Sequence, residues 1–306
     1  MSKLQILNDE HGVNFTHATL ATIMKYPWAS GDIKCKLNKN KYGYFEAEND
    51  LVAKIRQSTQ LQAGIRHPAT LLLEAADDMA YLNADIEDAV KKEIIPWEQE
   101  YKDIKEKLIR IDRDSYGYMF NKLDEIYKEN KSKMVPGLEL ISVQNFKVFS
   151  QSLMFKHTVK SFKDNYDDII NGIYNDELLN HNKILPLVKE LKRLARDYCF
   201  NNPEVITLEL LGHDVINGLL DKFVLGLTSL DIDTSTRTYE GKLFSLISEN
   251  FRFVCCYNKH SNQNKDFKDI NLYEKLLLIT DFIAGMTDRY AVYLYRTLTG
   301  VNLLHR

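Results

Sequence analysis

Apolar residues recur every three to four positions along most of the chain, which is the spacing of amphipathic α-helices. The clearest pattern runs from about residue 69 to 95. No Gly or Pro occurs between Pro68 and Pro96, and the helix-favouring residues Ala, Leu, Glu and Lys dominate that stretch. We therefore expect one long helix there.

The same periodicity predicts most of the remaining secondary structure. Only 13 Gly and 6 Pro occur in 306 residues, which favours long helices with few tight turns. Alternating patterns typical of strands are nearly absent, so the predicted class is all-α. Further helices are predicted at 13–26, 46–57, 97–127, 145–165, 167–179, 184–200, 205–227, 241–258 and 272–298, with a lysine-bearing loop at 29–45.

No linker divides the sequence cleanly. Residues 128–137, which contain a Pro-Gly pair, are the best boundary, and it is a weak one. We expect a single helical body over 1–306.

Polar residues form one stripe along the predicted helix at 69–95. Asp77, Tyr81 and Asp85 are four residues apart, so each step drifts by only about 40° around the helix. One interpretation is a stripe facing a cavity, with Asp77 on a cation and Tyr81 and Asp85 on a polar ligand. The other is an exposed acidic stripe.

Basic residues elsewhere are candidates for a phosphate site. Lys25 and Lys41 could hold phosphates as point charges if they face the carboxylate stripe, although a single lysine is more often solvated. Lys192 and Arg252 are weaker candidates of the same kind.

Histidines provide no recognisable metal motif. His213 and Asp214 are adjacent, so their side chains point about 100° apart on a helix, and no further His stands nearby at ligand spacing. We therefore do not interpret this pair as a metal site. His67, just before Pro68, is expected to be an exposed turn residue.

Composition narrows the function only slightly. Forty basic and forty-three acidic residues give a net charge of −3, so no global electrostatic case for nucleic acid or membrane binding follows. No apolar run approaches the ~20 residues of a membrane span. The four cysteines form no CxxC pair, which fits a reducing cytoplasm. Adjacent Cys255 and Cys256 are expected to be buried small hydrophobes.

Several segments resemble, in order, the dGTP triphosphohydrolases of the HD-domain superfamily. They are GVNFTHATLATIMKYPW, KYGYF, EAADDMAYLNADIEDAV, FNNPEV with LELLGHDVINGLLDKF, and DFIAGMTDRYA. The third is the most specific, and together they extend over nearly the whole chain.

The resemblance implies a fold, a reaction and roles for individual residues. Family members are all-α and convert a deoxynucleoside triphosphate, dGTP being favoured, to deoxynucleoside and triphosphate. One divalent ion, Mg²⁺ or Mn²⁺, is held by His…His-Asp…Asp. By this resemblance, Asp77 is the last metal ligand, Tyr81 packs against the deoxyribose and Asp85 accepts the 3′-hydroxyl. The remaining candidates would contact the triphosphate: Lys25, Tyr26 and Lys41, with Lys192 and Arg252 aligning only loosely.

The chain also departs from the family pattern. The first His, the His-Asp pair and the catalytic His and Glu lie N-terminal to the matched part in the family, and no equivalents occur here. We therefore expect the C-terminal part of such an enzyme, with 1–127 the remainder of an HD-like catalytic core and 138–306 a C-terminal helical part. The chain would hold no catalytic residue and would be inactive alone. The metal site would be completed by ligands from the missing N-terminal HD segment or a partner polypeptide.

Two other classes of function stay open. The chain could be a non-catalytic nucleotide-binding or regulatory subunit of a dNTPase assembly, or a helical scaffold. A scaffold does not need Asp77, Tyr81, Asp85, Lys25 and Lys41 together. The resemblance also implies a homo- or hetero-oligomer, since hexamers are common in the family. Single-stranded DNA binding gains no support from the charge.

Overall fold

Helices form almost all of the regular structure. A computed structural model describes residues 13–180, 183–229, 232–258 and 263–301. Across these ranges there are fourteen α-helices and one two-residue antiparallel hairpin, Tyr257–Asn258 with Gln263–Asn264. The predicted all-α class is confirmed. The helices are α1 (His17–Ile23), α2 (Ile33–Leu37), α3 (Asn49–Thr59), α4 (Pro68–Lys91), α5 (Trp97–Ile111), α6 (Arg113–Ser132), α7 (Leu138–Asp164), α8 (Tyr166–Ile170), α9 (Leu185–Leu194), α10 (Pro203–Leu227), α11 (Tyr239–Leu246), α12 (Glu249–Cys256), α13 (Leu272–Ala284) and α14 (Asp288–Leu298).

The chain forms two compact units. One comprises residues 16–205, and the other comprises 206–306 together with 1–15. Residues 128–137, where the sequence suggested a boundary, lie inside the first unit, where they end α6 and lead into α7. No helix within the described ranges is long and apolar enough to cross a membrane.

Helix α4 is the central element of the first unit. Its buried face packs on α7. The fully buried residues of this core include Ile86, Ile104, Phe120, Phe146 and Leu191. At the contact between α4 and α7, Ser150 Oγ donates to Asn83 Oδ1 at 2.6 Å, and both side chains are buried. A buried polar pair needs this mutual hydrogen bond, so it fixes how α4 sits on α7.

The second unit has its own apolar core. Leu219 and Phe223 of α10 pack with Ile279 and Phe282 of α13, and the rings of Phe223 and Phe282 meet edge to face at 5.4 Å.

The helix boundaries differ in several places from those that the periodicity predicts, because local caps interrupt long apolar patterns. The predicted helix 97–127 is broken at Asp112, which is extended and accepts a hydrogen bond from Ser115 N at 3.0 Å. The predicted helices 241–258 and 272–298 are each two helices. The predicted helix 167–179 is α-helical only over Tyr166–Ile170, and a 3₁₀ turn follows at Leu178–Asn180. The predicted helix 13–26 shortens to α1, which is capped by Thr16.

Candidate functional site

Helix α4 carries the predicted polar stripe. It begins with Pro68 at its first position, where the missing N–H costs nothing. His67 caps it, because its Nδ1 accepts from Ala69 N at 3.2 Å. His67 is thus a half-buried cap rather than the exposed turn residue expected from sequence, and burial lowers the pKa of its imidazole. The cap fixes where α4 starts and hence which side chains face outward.

The stripe lies opposite the buried face of α4. Asp77 and Tyr81 are exposed, and Asp85 is half-buried. Burial raises the pKa of the Asp85 carboxyl, and the charge of Asp88 adds to this, while a hydrogen bond from Tyr81 partly opposes both. Tyr81 and Asp85 therefore form a hydrogen-bonded pair, as their spacing allows. Asp77 stands in open solvent rather than in an enclosed cavity.

A π-helical turn at Ala195–Phe200 completes the surroundings of this pair. The Phe200 ring stacks on Tyr81, with centroids 6.3 Å apart and an interplanar angle of 21°. Cys199 Sγ lies 3.7 Å from the Asp85 carbonyl oxygen, and burial together with the Asp85 charge raises the pKa of this thiol to about 11. Phe200 could not be identified from the sequence, because the π-turn continues the apolar pattern of α9. Such turns often occur at functional sites.

A separate cleft of about 360 Å³ lies beside the N-terminal half of α4. Lys25, Tyr26 and Lys41 line it, although they are up to sixteen positions apart in the sequence. The structure thus brings together three of the five residues that the resemblance assigns to the triphosphate. Of the two adjacent aspartates on α4, Asp78 lines the cleft and Asp77 does not.

Glu74 organises the cations of the cleft. Its carboxylate lies 3.2 Å from Lys25 Nζ and 3.1 Å from Arg66 Nη1. Partial burial would lower the pKa of Lys25, but the hydrogen bond and charge of Glu74 outweigh it and raise the pKa. Arg66, which also lines the cleft, was not identified from the sequence, because a single Arg before a helix carries no distinguishing pattern.

A close backbone approach places Lys41 in the cleft. Trp28 Nε1 donates to the Lys41 carbonyl at 2.8 Å, and Gly43 N donates to the Trp28 carbonyl at 3.3 Å. A Cβ on Gly43 would lie only 2.2 Å from the Tyr26 carbonyl oxygen, so only glycine fits there. Lys41 Nζ then sits 5.5 Å from the centre of the Tyr26 ring.

The charges of the cleft are nearly balanced. Three cationic side chains face four carboxylates. They are Lys25, Lys41 and Arg66 against Glu74, Asp78, Asp176 and Glu177. The cleft is therefore polar without being a strongly positive field.

Two weaker candidates lie elsewhere. Lys192 is exposed on α9 and does not line the cleft. Arg252 belongs to the second unit, where its guanidinium lies 5.2 Å from the centre of the Phe244 ring and Nη2 lies 3.8 Å from Glu249 Oε1.

The residues present do not make a metal site by themselves. Within the described ranges, no group of three or more His, Cys, Asp or Glu side chains could hold a metal ion. A lone Asp77 is too few donors for a divalent cation. His213 Nδ1 lies 3.3 Å from Asp214 Oδ1, and both side chains are largely exposed.

The fold and these features define an all-α protein with its candidate site built on one long helix. Several similar proteins are named as deoxyguanosinetriphosphate triphosphohydrolases or as proteins like them. A deoxyguanosinetriphosphate triphosphohydrolase-like protein of Listeria monocytogenes is 35% identical over 99% of this chain. A deoxyguanosinetriphosphate triphosphohydrolase of Serratia proteamaculans is 31% identical over 94%, and a triphosphohydrolase-like protein of Synechocystis is 28% identical over 99%. No family model matches the chain.

The chain is thus similar to deoxyguanosinetriphosphate triphosphohydrolases over nearly its whole length. It spans 63%, 60% and 63% of the length of these three relatives.

Proposed function

We propose that the chain supplies the substrate-binding part of a deoxynucleoside triphosphate triphosphohydrolase, with dGTP as the favoured substrate. The enzyme would convert the substrate and water to deoxynucleoside and triphosphate. The observation that carries the proposal is the convergence of Lys25, Tyr26 and Lys41 on one cleft beside α4, the helix that also carries the Tyr81–Asp85 pair. The names of the relatives support it.

The sugar would bind at the Tyr81–Asp85 pair. A carboxylate accepts a hydrogen bond from a hydroxyl, so Asp85 would take the 3′-hydroxyl. Tyr81 would pack its ring against the deoxyribose. Phe200, stacked on Tyr81 and partly exposed, extends this aromatic surface and offers a face for the base.

The triphosphate would bind in the cleft. Lys25, Lys41 and Arg66 would donate to phosphate oxygens and stabilise the negative charge of the departing triphosphate. Glu74 would position Lys25 and Arg66. Because the cleft already holds four carboxylates, these cations alone would hold a triphosphate weakly.

The divalent ion, Mg²⁺ or Mn²⁺, would need donors beyond this chain. Asp77 is an exposed carboxylate one residue from the cleft-lining Asp78, and would be one ligand. The others would be a His and a His-Asp pair from outside residues 1–306, carried by an HD segment or a partner polypeptide. Asp77 is adjacent on α4 to exposed Ala76 and Ala80, small residues that would let another helix approach closely.

A second candidate function is a non-catalytic nucleotide-binding subunit. The charge-balanced cleft and the lack of a metal-binding cluster within the described residues favour it. The two candidates differ in one outcome: only the first gains activity when the HD segment is added.

Dideoxy substrates test the proposed sugar site. In enzyme completed with the HD segment, a 2′,3′-dideoxy substrate would leave the half-buried Asp85 carboxylate without its partner, at a cost of about 1–3 kcal/mol, or roughly 5- to 150-fold in kcat/KM. Asp85→Ala should turn over slowly and discriminate little between the two substrates. Glu106→Gln, at an exposed carboxylate on α5, is the control and should discriminate like the native protein. Equal discrimination by Asp85→Ala and the native enzyme would place the 3′-hydroxyl elsewhere.

A further inference from the structure

A second cavity lies on a different part of the first unit, between α5, α6 and α7. Its volume is about 420 Å³, within the ~300–1,000 Å³ range of small-molecule sites. Its walls contain four aromatic or aliphatic residues, Trp97, Tyr101, Tyr127 and Leu138, together with six charged residues and Ser142. None of its residues lines the cleft beside α4.

The walls are held in place by their own contacts. The rings of Trp97 and Tyr101 are 5.9 Å apart, and Trp97 also packs edge to face on Phe146 at 5.1 Å. Trp97 is almost completely buried, and its Nε1 donates to Ser142 Oγ at 3.1 Å. The cavity is therefore bounded by rigid flat surfaces, which suit a planar ligand.

One fixed carboxylate gives the cavity its polarity. Tyr101 OH donates to Asp124 Oδ1 at 2.8 Å, and Lys105 pairs with Oδ2. Burial and the hydrogen bond and charge of Asp124 raise the pKa of Tyr101, so the phenol keeps its proton and Asp124 stays the acceptor. Each carboxylate oxygen has a further lone pair, so Asp124 can accept again from a ligand.

The charges around the cavity cancel. Lys102 pairs with Glu98 at 2.8 Å, and Lys105 pairs with Asp124. The remaining charged lining residues, Lys128 and Glu139, have opposite signs. A strongly anionic or cationic ligand therefore gains little, and an uncharged ligand is favoured.

We propose that this cavity is a binding site for an uncharged planar heteroaromatic molecule with an N–H donor edge, the chemistry of a nucleobase or nucleoside. The flat ring lies against Tyr101 and Tyr127, and its N–H edge donates to Asp124. The proposal does not rest on the proposed catalytic role of the chain.

Guanosine and caffeine form a matched pair of probes. Guanosine has adjacent N–H donors, whereas caffeine is a flat purine without any. The protein has two tryptophans, so Trp28→Phe leaves Trp97 as the reporter of the cavity. We expect guanosine to change Trp97 fluorescence, with calorimetry giving one site, and caffeine to bind at least roughly tenfold more weakly, because it leaves the Asp124 acceptor unused.

Variants locate the site. Leu138→Trp should fill the cavity and abolish the guanosine signal. Val148→Trp introduces the same residue at an exposed position of α7 outside the cavity and should leave it unchanged. Asp124→Asn keeps the shape of the wall. It should weaken guanosine binding roughly tenfold and reduce the difference in affinity between guanosine and caffeine. This variant tests the proposal even if Leu138→Trp does not fold.

Four results would overturn the proposal. They are no guanosine binding at millimolar concentration, equal binding of caffeine, unchanged binding in a folded Leu138→Trp protein, and loss of binding in Tyr81→Ala. The last would assign the nucleoside to the α4 site instead.

Discussion

At the scale of single residues, Asp77 is the carboxylate with the most specific proposed role. It is exposed on α4, so Asp77→Asn should leave the fold intact while removing the charge of the proposed metal ligand. In enzyme completed with the HD segment, we expect the loss in kcat to exceed the ~10–100-fold that removing an outer-shell partner of a metal ligand costs.

The matched control for Asp77 is Glu106→Gln, which changes an exposed carboxylate on α5. It should retain most of the activity. Steady-state rates and the amount of bound metal are measured for both variants. Full activity with full metal content in Asp77→Asn would exclude the proposed role of Asp77 as a metal ligand.

The part of the site that could be predicted from the sequence is the set of residues that recur at helical spacing. Asp77, Tyr81 and Asp85 share a stripe because the helix period fixes that relation within one element. The partnership of Glu74 with Lys25 and Arg66 depends on how a distant loop folds back, and no local pattern encodes it.

At the scale of elements, the start of α4 depends on His67. Its neutral Nδ1 accepts from Ala69 N, and burial lowers the pKa of the imidazole below its usual ~6.5. A histidine with a lowered folded-state pKa contributes stability that is present above about pH 6.5 and is lost as the pH falls through the folded value. We therefore expect the native protein to lose stability on acidification from pH 7 to 5.

His67→Asn separates the cap from its titration. Asn is a good cap and does not titrate in this range, so the variant should lose less stability than the native protein over the same interval. His67→Ala should be less stable by about 1 kcal/mol at pH 7. Urea unfolding at several pH values gives these differences, and identical pH dependence in native protein and His67→Asn would show that another group is responsible.

The loop that carries Lys41 depends on Gly43. Gly43→Ala would bring a Cβ to 2.2 Å from the Tyr26 carbonyl oxygen, so the backbone must move and Lys41 must leave its position. We expect a higher KM for the deoxynucleotide in completed enzyme. Gly212→Ala is the control, because nothing lies within 4 Å of its added Cβ, and it should leave KM unchanged while adding up to ~1 kcal/mol of helix stability. An unchanged KM in Gly43→Ala would mean that Lys41 does not contact the substrate.

Element boundaries show where sequence periodicity reaches its limit. The apolar pattern passes through Asp112 and through the π-turn at Ala195–Phe200 without interruption. In the first case the Asp112 side chain competes for Ser115 N, and in the second an extra residue per turn moves Cys199 and Phe200 toward Asp85 and Tyr81. Neither a cap nor a π-turn alters the spacing of apolar residues enough to be recognised.

At the scale of the whole molecule, we propose that these 306 residues bind substrate and that catalysis needs further residues. The first unit carries the cleft and the Tyr81–Asp85 pair, and the described residues hold no metal-binding cluster. The division into two units could not be predicted, because α10 continues the helical pattern across it.

The most direct test of this claim is phosphorus-31 NMR of dGTP incubated with Mg²⁺ or Mn²⁺ and the purified chain, with and without a polypeptide carrying the family's His…His-Asp segment. We predict no hydrolysis by the chain alone, and deoxyguanosine with intact triphosphate once the segment is added. Triphosphate release by the chain alone would contradict the account. So would a completed mixture that stays inactive or that releases diphosphate or orthophosphate as its first product.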